Sequence, residues 1–595
     1  MFSMINKIEA PESKAYLTLF DQLWADRRKM KDVTEQVLER ITTAYRENSP
    51  EFLYFFALYH IFSDFLTNVS ADDLPNDTNG FRESKVWNKL YTFQKDAVLA
   101  IISKLEQYNG CILADSVLLD KPTIDAYLSA AAIPICDYTF ANIYCWQHQY
   151  NTVWAEVDGS LVVRFDLGHG QRGYMVLGCE NFGQLLPLLM EDAHDAGLPF
   201  RMIAMCHRCA ESFAAWADAH YGLRPDGTPV IINTEAEAAA CLRRGNECFA
   251  ICDNRDYQDY IYSLSDLCQL TGRKYQPKRN HVNRFEALYD YTFEELRPED
   301  IDECLRLEGE WQQRKEADEV DDVEHRTEHE YEMSEEQRAI RRAFDAYEAL
   351  GLYGGVLRVE GRMVAFTYGS QITPEVFCTH IEKADSSYEG VFPMINRCFA
   401  RALAARGYTM VNREEDMGLA GLRRSKMSYH PAAMQEKMTL RALSLREIEC
   451  RELWQRVFGD DRAFIDLYLT EVYRPENMLV RCDEAGHIVS MLHIVEIDTT
   501  YGPTGYLYAI ATDEAWRGRG LASALIEEAV AELRRRGMAA VMLIPSHEDL
   551  KAFYERLGFE DSNYPLDFSE GFDFGTGDAK YDLAMVRKSE AKRLR

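Results

Sequence analysis

The feature that most constrains the fold of this chain lies near its C-terminus, where a strand pattern, a glycine-rich turn and an amphipathic helix follow one another without interruption. Residues 506–512 read YLYAIAT, residues 513–520 read DEAWRGRG, and residues 521–537 read LASALIEEAVAELRRRG. Aromatic and apolar residues in the first segment suit a buried strand. In the third, Leu521, Leu525, Ala529 and Leu533 recur at helical spacing, and Gly537 supplies a stop. A strand that turns through glycines directly into a helix leaves the first backbone N–H groups of that helix unpaired. Those groups and the positive end of the helix dipole suit an anionic phosphate. Arg517 and Arg519 add charge at the same turn, and Gly518 and Gly520 let the backbone approach a ligand closely.

Two further segments extend the pattern. A strand AAVMLIP (539–545) precedes a helix that ends in Phe553-Tyr554-Glu555-Arg556-Leu557-Gly558-Phe559. Arg517-Gly518-Arg519-Gly520-Leu521-Ala522 together with this closing segment resembles the GNAT family of N-acetyltransferases, in the same order and at comparable spacing. The resemblance covers residues 441–595. It implies acetyl-CoA, or another acyl-CoA, as co-substrate and a small-molecule or peptide amine as acceptor. It also implies that backbone N–H groups near Ile510, Ala511 and Thr512 hold the thioester carbonyl, and that Tyr554 protonates the departing thiolate. His547 stands where many members of that family have an asparagine beside the pantetheine arm. The strand 506–512 carries no carboxylate to act as base, which leaves Glu496 or a chain of waters. An amine with a pKa near ~10 needs some such route for its proton.

Upstream, strands, glycine turns and helices alternate from about residue 119 to 440, and a charge-rich helical stretch (312–344) divides this region. The segments CDYTFANIYCW (136–146), DYQDYIYSLSDLCQLTGRKYQPKRNHVNRF (256–285) and VNREEDMGLAGLRRSKMSYHPAAMQEK (411–437) resemble the family related to the C-terminal domain of phosphatidylglycerol lysyltransferases. That resemblance implies a tandem pair of acetyltransferase-like folds. Better-known relatives transfer aminoacyl groups from tRNA to lipids or peptidoglycan precursors, so aminoacyl-tRNA enters as a second candidate partner. Arg273, Lys274, Lys278, Arg279, His281 and Arg284 form a basic cluster in an acidic protein, suited either to a phosphate-bearing ligand or to a solvated helix face. Asn412, Arg413, Glu414, Glu415 and Asp416 read as a polar turn after a strand: either an acceptor-amine pocket or an internal ion-pair network.

The first 117 residues read as mostly helical. The stretch 91–117 resembles the approach to the nucleotide loop of superfamily-two helicases, either as a remnant or as an unrelated helical cap. The chain continues Leu118-Leu119-Asp120-Lys121-Pro122-Thr123, without the glycines that wrap a phosphate, so no ATPase activity is expected.

Bulk properties close off other classes. A net charge of −31 argues against nonspecific DNA binding over the whole surface. No run approaches the ~18 apolar residues of a transmembrane helix, and the N-terminus lacks signal-peptide character, so a cytoplasmic location is expected. The 15 cysteines are scattered, with one close pair at Cys206 and Cys209. His325-Arg-Thr-Glu328-His329 matches a metallopeptidase spacing inside a highly acidic run, where a solvated helix is the expected reading. No metal is expected. The sequence thus predicts an α/β (α+β) protein of three acetyltransferase-like mixed-sheet units, 118–295, 296–440 and 441–595, behind a helical segment 1–117.

Overall fold

The computed structural model describes residues 114–115, 118–168, 171–179, 182–318, 326–499, 501–561 and 585–588. All belong to one compact unit, Leu113–Arg595. Residues 1–113, for which helices are expected, and His325 lie outside the described residues, as do the side chains of Glu328 and His329. Leu118–Asp120 forms one 3-10 turn that runs straight into the helix Lys121–Ala131, with Pro122 in its first turn. Proline suits that position because its missing N–H would have no partner there.

Three large mixed sheets share one plan. In each, three successive antiparallel strands lead into a helix, which returns the chain to a strand parallel to the third. The first sheet runs Val153–Val157, Ser160–Gly168 and Gln171–Leu177, then Phe182–Asp195 as the helix and Arg201–Met205 as the parallel strand. The second runs Tyr353–Val359, Arg362–Gln371 and Val376–Ala384, then the helix Val391–Ala405 and Met410–Asn412. The third runs Met478–Cys482, Ile488–Thr499 and Gly502–Thr512, then the helix Leu521–Arg535 and Ala540–Leu543. Each parallel pair is joined over a short stretch only: Tyr174 to Met202, Val376–Cys378 to Met410–Asn412, and Thr504–Tyr506 to Ala540–Met542. Beyond it the two strands diverge.

The boundary expected at 295/296 is displaced. Asp259–Ser263 is a central strand of the second sheet, between Met410–Asn412 and Ala433–Gln435. Its Tyr260, Ile261 and Tyr262 are all buried, as a strand covered on both faces requires. Conversely, Met438–Ala442 leaves the second unit and lies in the first sheet, between Arg201–Met205 and Phe249–Asp253. The first two units therefore exchange strands.

The third unit is welded to the first. Ser444 caps the helix Leu445–Phe458 in a reciprocal capping box with Glu447, and Gly459 ends it in the left-handed region. That helix and Arg462–Glu471 share one apolar cluster with the first sheet (Phe249, Ala250, Leu440) and the third (Met491, Tyr506). Buried arginines tie the seam. Arg451 Nη1 donates to Asp466 Oδ1 and to the Phe249 carbonyl, both at 2.9 Å. Arg441 Nη2 and Arg201 Nη2 each donate at 2.8 Å, to the carbonyls of Leu469 and Thr470. Each of these guanidinium groups also pairs with a carboxylate, Asp466, Glu447 or Glu471, so no buried charge is left without a counter-ion.

Candidate active sites

In the third unit the strand Gly502–Thr512 is paired with Ile488–Thr499 along its whole length, but it loses its other neighbour after Tyr506. Among the described residues the backbone edge from Leu507 to Thr512 is left without a second strand partner. The register also slips here: Met491 faces Ala511 and His493 faces Tyr508, so the strand bulges at Ala509, which adopts a φ of +47°. A non-glycine residue at positive φ is uncommon and costs about 1 kcal/mol or more, and such bulges turn backbone groups out of the ladder.

Past Thr512 the chain reaches the glycine turn. Gly518 and Gly520 have φ of +75° and +78°, and a Cβ added to either meets no atom within 4 Å. Glycine is required there by backbone conformation, while the space in front of the turn stays open. Gly520 is the N-cap of Leu521–Arg535 and no side chain caps that end, so the first-turn amides of Leu521 and Ala522 remain without a capping acceptor. The Arg519 guanidinium stacks 4.3 Å from the Trp516 ring centre, and Arg517 Nε lies 3.4 Å from the Thr512 carbonyl. Both cations flank the helix N-terminus.

Tyr554 lies on the short helix Lys551–Glu555, packed on Phe553 and Phe559, in the cluster that also holds Leu507, Leu525 and partly buried Ile510. Burial pushes its phenol up to about 12. The fold thus brings Tyr554, the diverging strand and the glycine-loop helix to one face of the third sheet. His547 is exposed at the start of the turn that leads to Tyr554, and its carbonyl accepts from Leu550 N.

Glu496 is not brought to this opening. It faces Gly505, in the fully paired half of the strand, and its carboxylate holds Arg536 Nη1 at 2.8 Å at the far end of the loop helix. That helix has 15 residues, about 22 Å of rise. The ionisable group beside the bulge is His493, which alternation alone did not single out. It is 1% exposed, its ring lies 5.7, 5.4 and 5.8 Å from the rings of Trp454, Tyr468 and Tyr473, and among the described residues its Nε2 has no hydrogen-bond partner. Burial, helped by Arg446, lowers its pKa to about 3, so it is neutral in the folded protein. Because the folded value lies below the unfolded ~6.5, this site's stability is complete above pH 6.5 and is lost as pH falls toward 3. Replacing His493 with phenylalanine is expected to remove about 2 kcal/mol of the stability lost between pH 7.5 and pH 5. Urea midpoints of both proteins at the two pH values check this. Parallel acid sensitivity would show that His493 is not the group responsible.

The second unit has a similar opening but a different entrance. Gly390, the N-cap of Val391–Ala405, is closed off: an added Cβ would lie 2.4 Å from the His281 carbonyl. The turn before it carries Asp385 and Glu389 where the third unit carries arginines. Its opening is filled by a polar network. Asn412 Nδ2 donates to the Pro134 carbonyl (2.7 Å) and to Asp259 Oδ2 (2.8 Å). Arg413 pairs with Glu382 at 3.1 Å and lies over the Tyr429 ring. Glu414 accepts from Asn142 Nδ2 at 3.1 Å and lies 2.9 Å from His380 Nδ1. Asp416 binds Arg255, Arg423 and the Tyr260 hydroxyl. Lys437 Nζ lies among Asp259 (2.7 Å), Asp137 (2.8 Å), Glu415 (3.0 Å) and Cys136 Sγ (3.1 Å). Burial alone would raise the Glu415 carboxyl, but the Lys437 ammonium overrides it and holds Glu415 at about 2. Of the two readings of Asn412–Asp416, the contacts are those of an internal ion-pair network joining the two units.

The basic cluster divides. Arg279 bonds the carbonyls of Leu270 and Gly272 and so closes the end of the helix Leu264–Gln269. Lys274 pairs with Asp266 at 3.5 Å, and Arg284 with Glu389 at 2.8 Å. Lys278 lies 3.9 Å over the Tyr429 ring, and burial with the neighbouring Arg413 lowers it to about 8. Arg273 and His281 are exposed and line an open concavity with Gln276, Asn280, Arg284 and Glu389.

A tandem of three acetyltransferase-like sheets, the last with an open glycine loop and a buried tyrosine, defines a transferase built on the GNAT plan. The sequence pattern of the family described as "Phosphatidylglycerol lysyltransferase, C-terminal" matches residues 132–441, and the chain belongs to that family. The pattern of the acetyltransferase (GNAT) family matches residues 443–559, so the chain also carries an acyltransferase domain of the GNAT type. A protein of unknown function from Bacteroides thetaiotaomicron is 35% identical, with a TM-score of 0.46 over 56% of this chain and 99% of the other. L-PGS from Bacillus licheniformis is 14% identical, with a TM-score of 0.35 over 54% and 92%. A mycothiol acetyltransferase from Propionibacterium freudenreichii is 30% identical over 89 residues, which are 15% of this chain and span 28% of that relative. Among the described residues no helix is long and apolar enough to cross a membrane.

Proposed function

We propose that residues 443–559 transfer an acyl group, acetyl in the simplest case, from acyl-CoA to an amine. The observation that carries this reading is the open turn at Gly518 and Gly520, flanked by Arg517 and Arg519, at the uncapped N-terminus of Leu521–Arg535. Such a terminus suits the CoA pyrophosphate. The contrast with Gly390, closed by a carbonyl and flanked by acids, favours the third unit as the CoA site. The amine nitrogen bonds to the thioester carbonyl carbon while backbone N–H groups near 510–512 stabilise the oxyanion. The carbon–sulfur bond then breaks, and Tyr554 serves the thiolate. Glu496 is spent on Arg536, so the amine proton leaves through water. A cytoplasmic location fits CoA as donor.

Family membership favours a second role for residues 132–441: binding the acceptor, or transferring an aminoacyl group from tRNA. Arg273 and His281 would be its phosphate contacts, and activity would then fall steeply with salt.

Isothermal titration of acetyl-CoA into the full chain tests the main reading. One site per chain is expected, abolished in an Arg519→Glu/Gly520→Glu variant. Binding that survives the double substitution would move the site elsewhere, and no binding by the unaltered chain would sink acetyl-CoA as donor.

A further inference from the structure

Cys378 and His380 occupy alternate positions of the strand Val376–Ala384 and so share one face. Glu414 meets them from the turn after Met410–Asn412. Cys378 Sγ lies 3.7 Å and His380 Nδ1 2.9 Å from the same oxygen, Glu414 Oε1. The sulfur, the ring nitrogen and a carboxylate oxygen all fall within 4.8 Å of one another. Cys378 is wholly buried, and the His380 side chain is 7% exposed.

The surroundings match what such a triad needs. His380 Nε2 lies 2.8 Å from Ser370 Oγ. Without an ion, Nδ1–H donates to Glu414 Oε1 and Nε2 accepts from the Ser370 hydroxyl. With an ion bound, the other tautomer donates Nε2–H to Ser370 Oγ and turns the Nδ1 lone pair to the ion, the arrangement that orients histidines toward metals. Asn142 donates to Glu414 Oε1 and fixes the carboxylate. Among the described residues no lysine or arginine ion-pairs with Glu414. Its neighbour Lys437 is committed to Asp137, Asp259 and Glu415. A second triad, Cys136, Asp259 and Glu415, is thus already filled by an ammonium. Three carboxylates and the Cys136 thiol share that one ammonium, so the region favours a further positive charge.

We infer that Cys378, His380 and Glu414 form a binding site for a divalent ion of the zinc class. Thiolate, imidazole and carboxylate together suit zinc or cobalt and not magnesium or calcium, which prefer all-oxygen shells. A tetrahedral ion with bonds of about 2.0–2.3 Å sets its ligand atoms roughly 3.3–3.7 Å apart. Cys378 and Glu414 already stand at that separation, and His380 need retreat by only a few tenths of an ångström. On binding, the Cys378 thiol gives its proton to solvent and its sulfur bonds the ion. Three protein ligands leave a fourth position for water. The site lies where the parallel pair of the second sheet begins to diverge, since the last paired residues are Cys378 and Asn412.

The test is cobalt(II) titration of the chelator-treated full chain, followed in the visible and near ultraviolet. One equivalent per chain is expected, with tetrahedral d–d bands and a thiolate-to-cobalt charge-transfer band. Cys378→Ser should abolish the charge-transfer band, while a Cys206→Ser/Cys209→Ser variant should keep it. Ser370→Ala, which removes only the group holding His380, should weaken binding roughly 10–100-fold. Circular dichroism of each variant confirms that it folds. A charge-transfer band that survives Cys378→Ser, one lost with Cys206 and Cys209, or no stoichiometric uptake would each overturn the assignment.

Discussion

Replacing Lys437 with methionine is expected to destabilise the lysyltransferase-like region by about 3–5 kcal/mol, the usual cost of removing one partner from a buried charge cluster. Burial disfavours the Lys437 ammonium, yet Asp137, Asp259, Cys136 and Glu415 hold its pKa well above the ordinary lysine value. Methionine fills the volume of the stem and removes the charge. Asp259, wholly buried, keeps hydrogen bonds from the Cys136 amide (2.7 Å) and Asn412 (2.8 Å) but loses its counter-ion. Glu415 loses the group that holds it ionised. Each must then take up a proton to stay buried, so the deficit should be larger at pH 8 than at pH 5. Position adds to the effect, because Lys437 precedes Met438–Ala442, the strand that returns from the second unit to the first sheet. Urea unfolding checks the prediction. Adding Asp259→Asn and Glu415→Gln to the variant should recover most of the loss, because neutral amides no longer need the cation. An unchanged midpoint for Lys437→Met would mean that the cluster is screened by water and carries little energy.

The same cluster marks the limit of what could be read from the sequence. Arg517–Ala522 and Tyr554 could be singled out because a glycine turn and the helix it opens are contiguous, and each residue type has a local reason. Lys437 and Cys136 stand 301 positions apart, and only the strand exchange makes them neighbours. Residues 259–263 and 438–442 are strands, but a strand's local sequence does not record its partner, which is why the boundary expected at 295 lies some 36 residues beyond the first strand of the second sheet. Glu496 and His493 lie three positions apart on one strand. Alternation gives the face of each, but not where the neighbouring strand departs, and that departure sets His493 beside the bulge and Glu496 beside Arg536. The basic run 273–284 looked uniform, and the fold assigns Arg279 to closing a helix and leaves Arg273 and His281 at the surface. Cys378-Thr-His380 is an i, i+2 pair that the sequence alone does not single out, because its third member comes from a turn 34 residues away.

Conversion of Tyr554 to phenylalanine is expected to lower kcat about 100-fold or more, the contribution of a positioned proton donor, while acetyl-CoA affinity and thermal stability stay close to those of the unaltered protein. The stability part follows from the structure: among the described residues the Tyr554 hydroxyl makes no hydrogen bond, so phenylalanine keeps the contacts with Phe553 and Phe559 and loses none of that kind. The kinetic part follows from the pKa of about 12. A phenol so high is protonated throughout the working range, so it contributes no falling limb to the pH–rate profile below about pH 11. A thiol leaving group has a pKa of about 8.5, so complete transfer from the phenol to the thiolate is uphill. In the proposed reaction the hydroxyl would therefore act first as a hydrogen-bond donor to charge developing on sulfur, and the proton shed by the attacking amine would complete the step. The variant's deficit should accordingly shrink as the leaving thiol becomes more acidic. Comparing acetyl-CoA with an acetyl thioester of an aryl thiol measures this, in single turnovers. An equal deficit for both thioesters would place Tyr554 in substrate positioning, and unchanged turnover would remove it from the reaction.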